Sequence, residues 1–205
     1  MKKARNIVII DYGMGNLRSA QKAFEYLGYN ARVSRQSSDI KLATHVVLPG
    51  VGAFAGAIER ISLFPLKQAV LDAIAAKKPF LGICLGMQLL FDTSEEGGMH
   101  GGLSAFEGDI KLLDTRLKKP HVGWNIVKSV KPDCPLFKGL NDTYFYFVHS
   151  YCLRSEAPHC AAGITDYGGI FTSAVWDGGA LFATQFHPEK SGASGLRMLD
   201  NFASI

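Results

Sequence analysis

In its first 90 residues the chain sets apolar, β-branched runs against helical patterns in strict turn, and this alternation restricts it to few architectures. NIVIID (6–11) reads as a buried strand, with YGMGN as the turn that follows. In NLRSAQKAFEYLG the apolar Leu17, Ala20, Phe24 and Leu27 recur at helical spacing, Asn16 stands where a cap is needed and Gly28 where the helix must stop. HVVLPG (45–50) repeats the strand, FPLKQAVLDAIAAKK (64–78) supplies a second amphipathic helix, and PFLGIC opens a third strand. Strands that are apolar along their whole length need cover on both faces. The pattern therefore predicts a parallel sheet layered between helices, an α/β fold.

Beyond residue 105 the texture changes. DIKLL, VGWNIVKSV, YFYFVHSY, CAAGI, FTSAVW and LFATQF are short strand-like segments, and WDGGA (176–180) has the residues of a hairpin turn, so this half is expected to be mostly antiparallel. SGLRMLDNFASI closes the chain as a helix. With 205 residues, no repeats and no linker-like stretch, a single domain over 1–205 is expected.

Charge and cysteine content narrow the function. A net charge of +4, with basic residues scattered among acidic and apolar ones, gives no reason to expect nucleic acid as a partner. The basic stretch between Lys111 and Lys131 fits either a solvated face or a docking surface. The basic start MKKAR precedes an apolar run too short for an export signal, and no run approaches the length of a membrane span. Cys84, Cys134, Cys152 and Cys160 show neither a CxxC pair nor metal-type clustering. Reduced thiols in a cytoplasm, with no metal and no cofactor, are the expectation.

Three segments carry candidate chemistry. GICLG follows a strand and precedes the helical-looking MQLLF, the pattern of a nucleophile elbow, in which Gly82 and Gly86 allow close backbone approach and a helix start favours the thiolate of Cys84. In QFHPEKS (185–191), Pro188 biases His187 toward extended geometry, which would set Glu189 on the same side as an orienting carboxylate. LPGVGAF (48–54) opens a strand end into a glycine-rich loop whose N–H groups suit an oxyanion. All three belong at the carboxyl ends of sheet strands, where open α/β sheets bind ligands. Each also has a plain reading, as a core cysteine, a surface loop and an ordinary turn.

GICLGMQ with a downstream HPE resembles the triad-type glutamine amidotransferases. DYGMGNLRS, LPGVGAF, HVGWN, YFYFVHSY and QFHPEKS further resemble the glutaminase subunits of imidazole glycerol phosphate synthases, from residue 6 to the C-terminus. The resemblance implies a flavodoxin-like open sheet and a thioester mechanism on glutamine. Cys84 would be the nucleophile, His187 the base and Glu189 its orienting acid. Val51, Gly52 and Leu85 would line the oxyanion hole, and Gly50, Gln88, His149, Ser150 and Tyr151 would hold substrate. Asn16, Trp124 and Lys190 would face a barrel-shaped cyclase subunit that receives the ammonia. The family's segment after the elbow departs here, where the chain reads GGLSAFEGD, so no family detail carries over to residues 94–110. A glutaminase feeding another acceptor, a stand-alone cysteine hydrolase and a non-catalytic flavodoxin-like binding module remain alternatives on the residues alone.

Overall fold

In the computed structural model the described residues are 5–63, 65–153 and 159–205. Residues 1–4 of the basic start and Phe64, with which the second helical segment begins, lie outside them. The N-terminal half runs β1 (Asn6–Ile10), α1 (Leu17–Tyr26), β2 (Asn30–Ser34), α2 (Ser37–Leu42), β3 (His45–Gly50), α3 (Phe54–Leu63), α4 (Leu66–Ala75), β4 (Phe80–Cys84) and α5 (Leu85–Gln88). The C-terminal half adds β5 (Thr93–Ser94), β6 (His100–Gly101), β7 (Asp109–Leu112), β8 (His121–Ser129), β9 (Thr143–His149), β10 (Tyr151–Leu153), β11 (Ala161–Asp166), β12 (Ile170–Trp176), β13 (Leu181–Thr184) and α6 (Gly192–Ala203).

The sheet follows the order β2-β1-β3-β4-β13-β12-β10-β7-β5-β6, with β11 joining β12 to β8 and β8 pairing with β9. β2, β1, β3, β4 and β13 are parallel neighbours. The ladders of β12 with β13, β10 and β11, and of β8 with β9, are antiparallel. The architecture is thus the α/β arrangement read from the alternating pattern, with a parallel centre and an antiparallel flank. The parallel pairing of β13 with β4 lies beyond local reading, because it is a contact between segments about a hundred residues apart.

Alternate residues of the central strands feed two cores. Ile7, Ile9, Val47, Leu81, Ile83 and Phe182 face one side, covered by Phe24 of α1 and Met198, Leu199 and Phe202 of α6. Val8, Ile10, Val46, Leu48, Phe80 and Leu181 face the other, covered by Ile40 of α2, Ile61 of α3 and Val70 of α4. This period of two is the reason the strands read as unbroken apolar runs.

Two local expectations are refined and one holds. Asn16 occupies the N-cap position of α1 but makes no side-chain capping bond. Gly28 does end that segment, at φ +84°. YFYFVHSY is two strands, β9 and β10, broken at Ser150, whose carbonyl accepts from the Leu113 N–H at 2.8 Å. That break turns residues 149–151 toward the parallel strand ends.

Phe202 joins the elements on its side of the sheet, its ring 6.3 Å from that of Phe24, 5.3 Å from His45 and 6.3 Å from Phe182, centroid to centroid. Phe202→Ala is expected to cost about 3–5 kcal/mol in urea unfolding. A loss below about 1 kcal/mol would mean that α6 is not fastened through this ring.

Candidate active site

Cys84 is the last residue of β4 and sits at φ 55°, ψ −109°, a conformation that a non-glycine residue seldom adopts. The turn into α5 requires it. Its neighbours show why the flanking glycines are needed. A Cβ on Gly86 would collide with the Leu48 carbonyl oxygen, and one on Gly82 would lie 2.9 Å from both the Gly86 carbonyl and Leu90 Cδ1. Gly50 is just as confined, because a Cβ there would meet the Tyr12 hydroxyl and come within 2.8 Å of Leu85 Cβ. The MQLLF helix is corrected: α5 has only four residues, and the chain turns away after Gln88. A one-turn helix has little dipole, so its field contributes less at the sulfur than a full helix would.

The register of the parallel strands assembles the rest. Gly50 of β3 lies opposite Cys84, and Thr184 of β13 lies opposite Ile83. Three strand ends therefore finish flush, and the residues after Thr184 emerge beside the cysteine. His187 is extended, at φ −103°, ψ 93°, as the following proline favours. Glu189 reaches it by a different route from the one expected. Pro188–Lys190 form a 3₁₀ turn, and that turn, not an extended strand, brings Glu189 Oε1 to 2.8 Å from His187 Nδ1. Both side chains are buried. The loop is fastened to β9 at two points, the His187 N–H donating to the Tyr146 carbonyl at 2.9 Å and the Tyr146 N–H to Ser191 Oγ at 3.0 Å, and is closed on itself by the Ser191 hydroxyl, which donates to the His187 carbonyl at 2.6 Å.

Burial opposes a charge on His187, but the Cys84 sulfur and the Glu189 carboxylate outweigh it and raise the imidazole to about 10. The Glu189 bond occupies Nδ1. Nε2 is buried without a hydrogen-bond partner, while the Cys84 thiol is turned toward the Val148 carbonyl at 3.9 Å. Sulfur and imidazole thus face the same space, near enough for the sulfur to favour the imidazolium.

That space is a cleft of about 320 Å³, lined by Val51, Gly52, Cys84, Leu85, Gln88 and Glu96 on one side and by Val148–Tyr151, His187 and Lys190 on the other. A larger groove of about 460 Å³ between α2 and α4 contains none of these residues. Gln88 is held by its own amide nitrogen, which donates to the Tyr151 carbonyl at 2.9 Å and to Gln185 Oε1 at 3.1 Å. His149 donates from Nδ1 to the same Tyr151 carbonyl at 2.9 Å, and its Nε2 pairs with His121 Nδ1 at 3.2 Å. Burial lowers His149 to about 3 and His121 to about 4, so both rings are neutral and their bonds have a fixed direction.

Of the residues expected at a partner face, Lys190 is exposed at the cleft edge, its ammonium 5.9 Å from the Tyr146 ring centroid. Tyr146 in turn packs edge-on against Trp124, which is 55% exposed. Trp124 is therefore not a core residue, the plain reading of a tryptophan in a strand. Asn16 is half-buried and follows Gly15, which packs on Pro49 and Gly50. Two side chains at the site escaped the sequence reading, Glu96 in the cleft lining and Gln185 buried behind Cys84. Glu96 lies in the stretch where the family pattern departs, and its Oε2 accepts the Phe54 N–H at 2.8 Å. Gln185 stands at the head of the quoted QFHPEKS, where its signal was only its place beside the histidine. Among the described residues no group of three or more His, Cys, Asp or Glu could hold a metal ion.

Comparison with known proteins follows the same lines. The model of the family "Glutamine amidotransferase class-I" matches residues 8–205. The imidazole glycerol phosphate synthase subunit HisH of Rhodopirellula baltica is 48% identical over 202 residues, covering 97% of each chain. The subunit of the same name from Methanosarcina acetivorans is 45% identical over 204 residues, covering 98% of this chain and 99% of the relative. Among solved structures, a glutamine amidotransferase superimposes with a TM-score of 0.75 at 16% identity, covering 97% of this chain and 99% of that one. The structure of PurLQS from Thermotoga maritima gives 0.74 at 16% identity, covering 98% of each. At such identities the structural matches speak for the fold alone, and the sequence matches speak for the family. A strained cysteine elbow beside a carboxylate-bonded histidine thus lies in a chain that belongs to the class-I glutamine amidotransferases, in the branch of the imidazole glycerol phosphate synthase subunit HisH.

Proposed function

We propose that the chain, acting as one domain over 1–205, is a glutaminase that hydrolyses L-glutamine through a Cys84 thioester. The ammonia passes to a cyclase subunit, which uses it to form imidazole glycerol phosphate in histidine biosynthesis. The observation that carries this reading is the meeting of Cys84, at its strained elbow, with the His187–Glu189 pair across one cleft. Cys84 attacks the side-chain amide carbon as the thiolate whose proton His187 has already taken, and the imidazolium then delivers that proton to the departing ammonia. Glu189 holds the imidazole tautomer so that Nε2 faces the sulfur. Water then releases glutamate by the same route.

Backbone N–H groups of Val51 or Gly52 and of Leu85 stabilise the oxyanion, each such donor being worth about 3 kcal/mol in the transition state. Gly50 leaves room for the substrate, while Gln88, His149, Ser150 and Tyr151 hold the amino-acid head group. Glu96 supplies the negative charge that an α-ammonium needs; Glu189, the other carboxylate near the cleft, is committed to His187. Trp124, Asn16 and Lys190 meet the cyclase subunit, and a heterodimer in the cytoplasm is the working assembly. No helix among the described residues is long and apolar enough to cross a membrane.

The thiol's bond to the Val148 carbonyl and the unpaired His187 Nε2 favour a site that is idle until the partner realigns it. Glutamate release from glutamine is expected to be slow for the chain alone and to rise sharply with the cyclase subunit and its nucleotide ligand. Cys84→Ala should abolish it, by more than about 10⁴-fold. High turnover by the isolated chain, or indifference to the partner, would sink the coupled reading.

The second prediction concerns pH. The folded His187 value of about 10 lies above its ordinary 6.5, so the imidazolium's contribution to stability is complete below about pH 6.5 and is lost as pH rises through about 10. Glu189→Gln removes a charge that favours the imidazolium, so the histidine titrates at lower pH. In the mutant, kcat/KM should fall by roughly 10²–10⁴-fold and its alkaline limb should move toward neutrality. Imidazole NMR titration that shows no downward shift would refute the orienting role.

A further inference from the structure

Gln185 is fully buried, directly after β13, and has no part in the chemistry described so far. Its position follows from the parallel register: Thr184 opposes Ile83, so the next residue stands beside Cys84. Its amide nitrogen lies 3.7 Å from Cys84 Sγ, and its amide oxygen accepts from Gln88 Nε2 at 3.1 Å. Because either end of a carboxamide could in principle face the sulfur, the direction of this contact needs a separate argument.

The Tyr151 carbonyl supplies it, because a carbonyl oxygen can only accept. The group facing it from Gln88 is therefore the amide nitrogen, at 2.9 Å, which leaves that nitrogen one further hydrogen to place. The second hydrogen goes to Gln185, which must present its oxygen. The Gln185 nitrogen is then turned to the sulfur. The Tyr151 carbonyl is itself steadied from the other side by His149 Nδ1, and His149 by His121, whose Nε2 lies 3.4 Å from Asn125 Nδ2. The donor aimed at Cys84 thus stands at the end of a buried polar chain whose polarity begins at one backbone oxygen.

We infer that Gln185 is a further catalytic residue of the glutaminase site, whose N–H donates to the Cys84 sulfur and stabilises the thiolate that attacks glutamine. This rests on the reading of Cys84 as the nucleophile. A fixed N–H donor favours the anionic sulfur over the thiol, since hydrogen bonds to charged groups are the stronger kind. A buried donor on rigid strand ends needs no reorganisation when the charge forms.

Two variants test the assignment. Gln185→Met keeps the bulk without the amide. Gln185→Glu keeps the shape and the oxygen that accepts from Gln88, and replaces only the group facing the sulfur. Iodoacetamide alkylation of Cys84, followed by peptide mass so that Cys134, Cys152 and Cys160 do not contribute, is measured against pH for each variant that retains the wild-type circular dichroism. The pH of half-maximal reaction should rise in both. In the complex with the cyclase subunit, kcat should fall by roughly 10- to 100-fold while KM for glutamine stays within about threefold. An unmoved alkylation profile in Gln185→Glu, or a rise in KM with kcat retained, would overturn the inference and make Gln185 a support for Gln88. If wild-type complex releases no glutamate while the alkylation profile still shifts, the glutaminase reading fails and the contact between Gln185 and the thiol stands.

Discussion

The site depends on the in-register ending of three parallel strands. Parallel pairing sets Gly50 opposite Cys84 and Thr184 opposite Ile83, so the proposed oxyanion loop, the cysteine and the QFHPEK segment leave the sheet at one level. Had β13 been shifted by a single residue, every side chain on it would have changed face and His187 would not reach the cleft. Burial holds the register, because Leu181, Phe182, Ala183 and Thr184 are all enclosed, with Leu181 and Ala183 in one core and Phe182 in the other.

Close packing at that edge and strain at the cysteine are one feature. The positive φ of Cys84 is sustained because Gly82, Gly86 and Gly50 let β3, β4 and α5 approach more closely than any side chain would allow. The same closeness leaves the Tyr12 hydroxyl buried against Gly50 without a hydrogen-bond partner, and burial pushes its phenol well above the ordinary value. The edge of the sheet nearest the proposed oxyanion loop is therefore a place where favourable polar contacts have been given up for proximity.

Around this edge the charged and neutral groups are segregated. His187 is held toward the cation by Cys84 and Glu189, whereas His149 and His121 are kept neutral by burial and serve as directional connectors. A second cation beside His187 would lower its proton affinity, so the neutrality of His149 protects the pair. The flank that carries these connectors also carries the exposed Trp124 and Tyr144, since β8 and β9 turn alternate residues inward to the histidines and outward to solvent.

Much of this was legible in the residues. The alternation of apolar strands and helices implied the parallel centre, and GICLG, HPE and PGVG marked three strand ends by local chemistry alone. Pro188 announced the extended His187, although the tight turn that delivers Glu189 was hidden, because a 3₁₀ turn and a short extended segment place i and i+2 side chains together by different backbones. The one-turn length of α5 was hidden too, since MQLLF has helical composition and turns away only because Leu89, Leu90 and Phe91 find their contacts in the core under β5–β7. Glu96 gave no local sign, and Gln185 only its place at the head of QFHPEKS. By itself the sequence determined which residues are apolar, which turns need glycine and which segments carry reactive groups, because those are properties of a residue and its neighbours. Only the tertiary structure decided that β13 pairs with β4, that one backbone oxygen orients a row of side chains, and that a glutamine is aimed at the cysteine, because these depend on contacts between segments far apart in the chain.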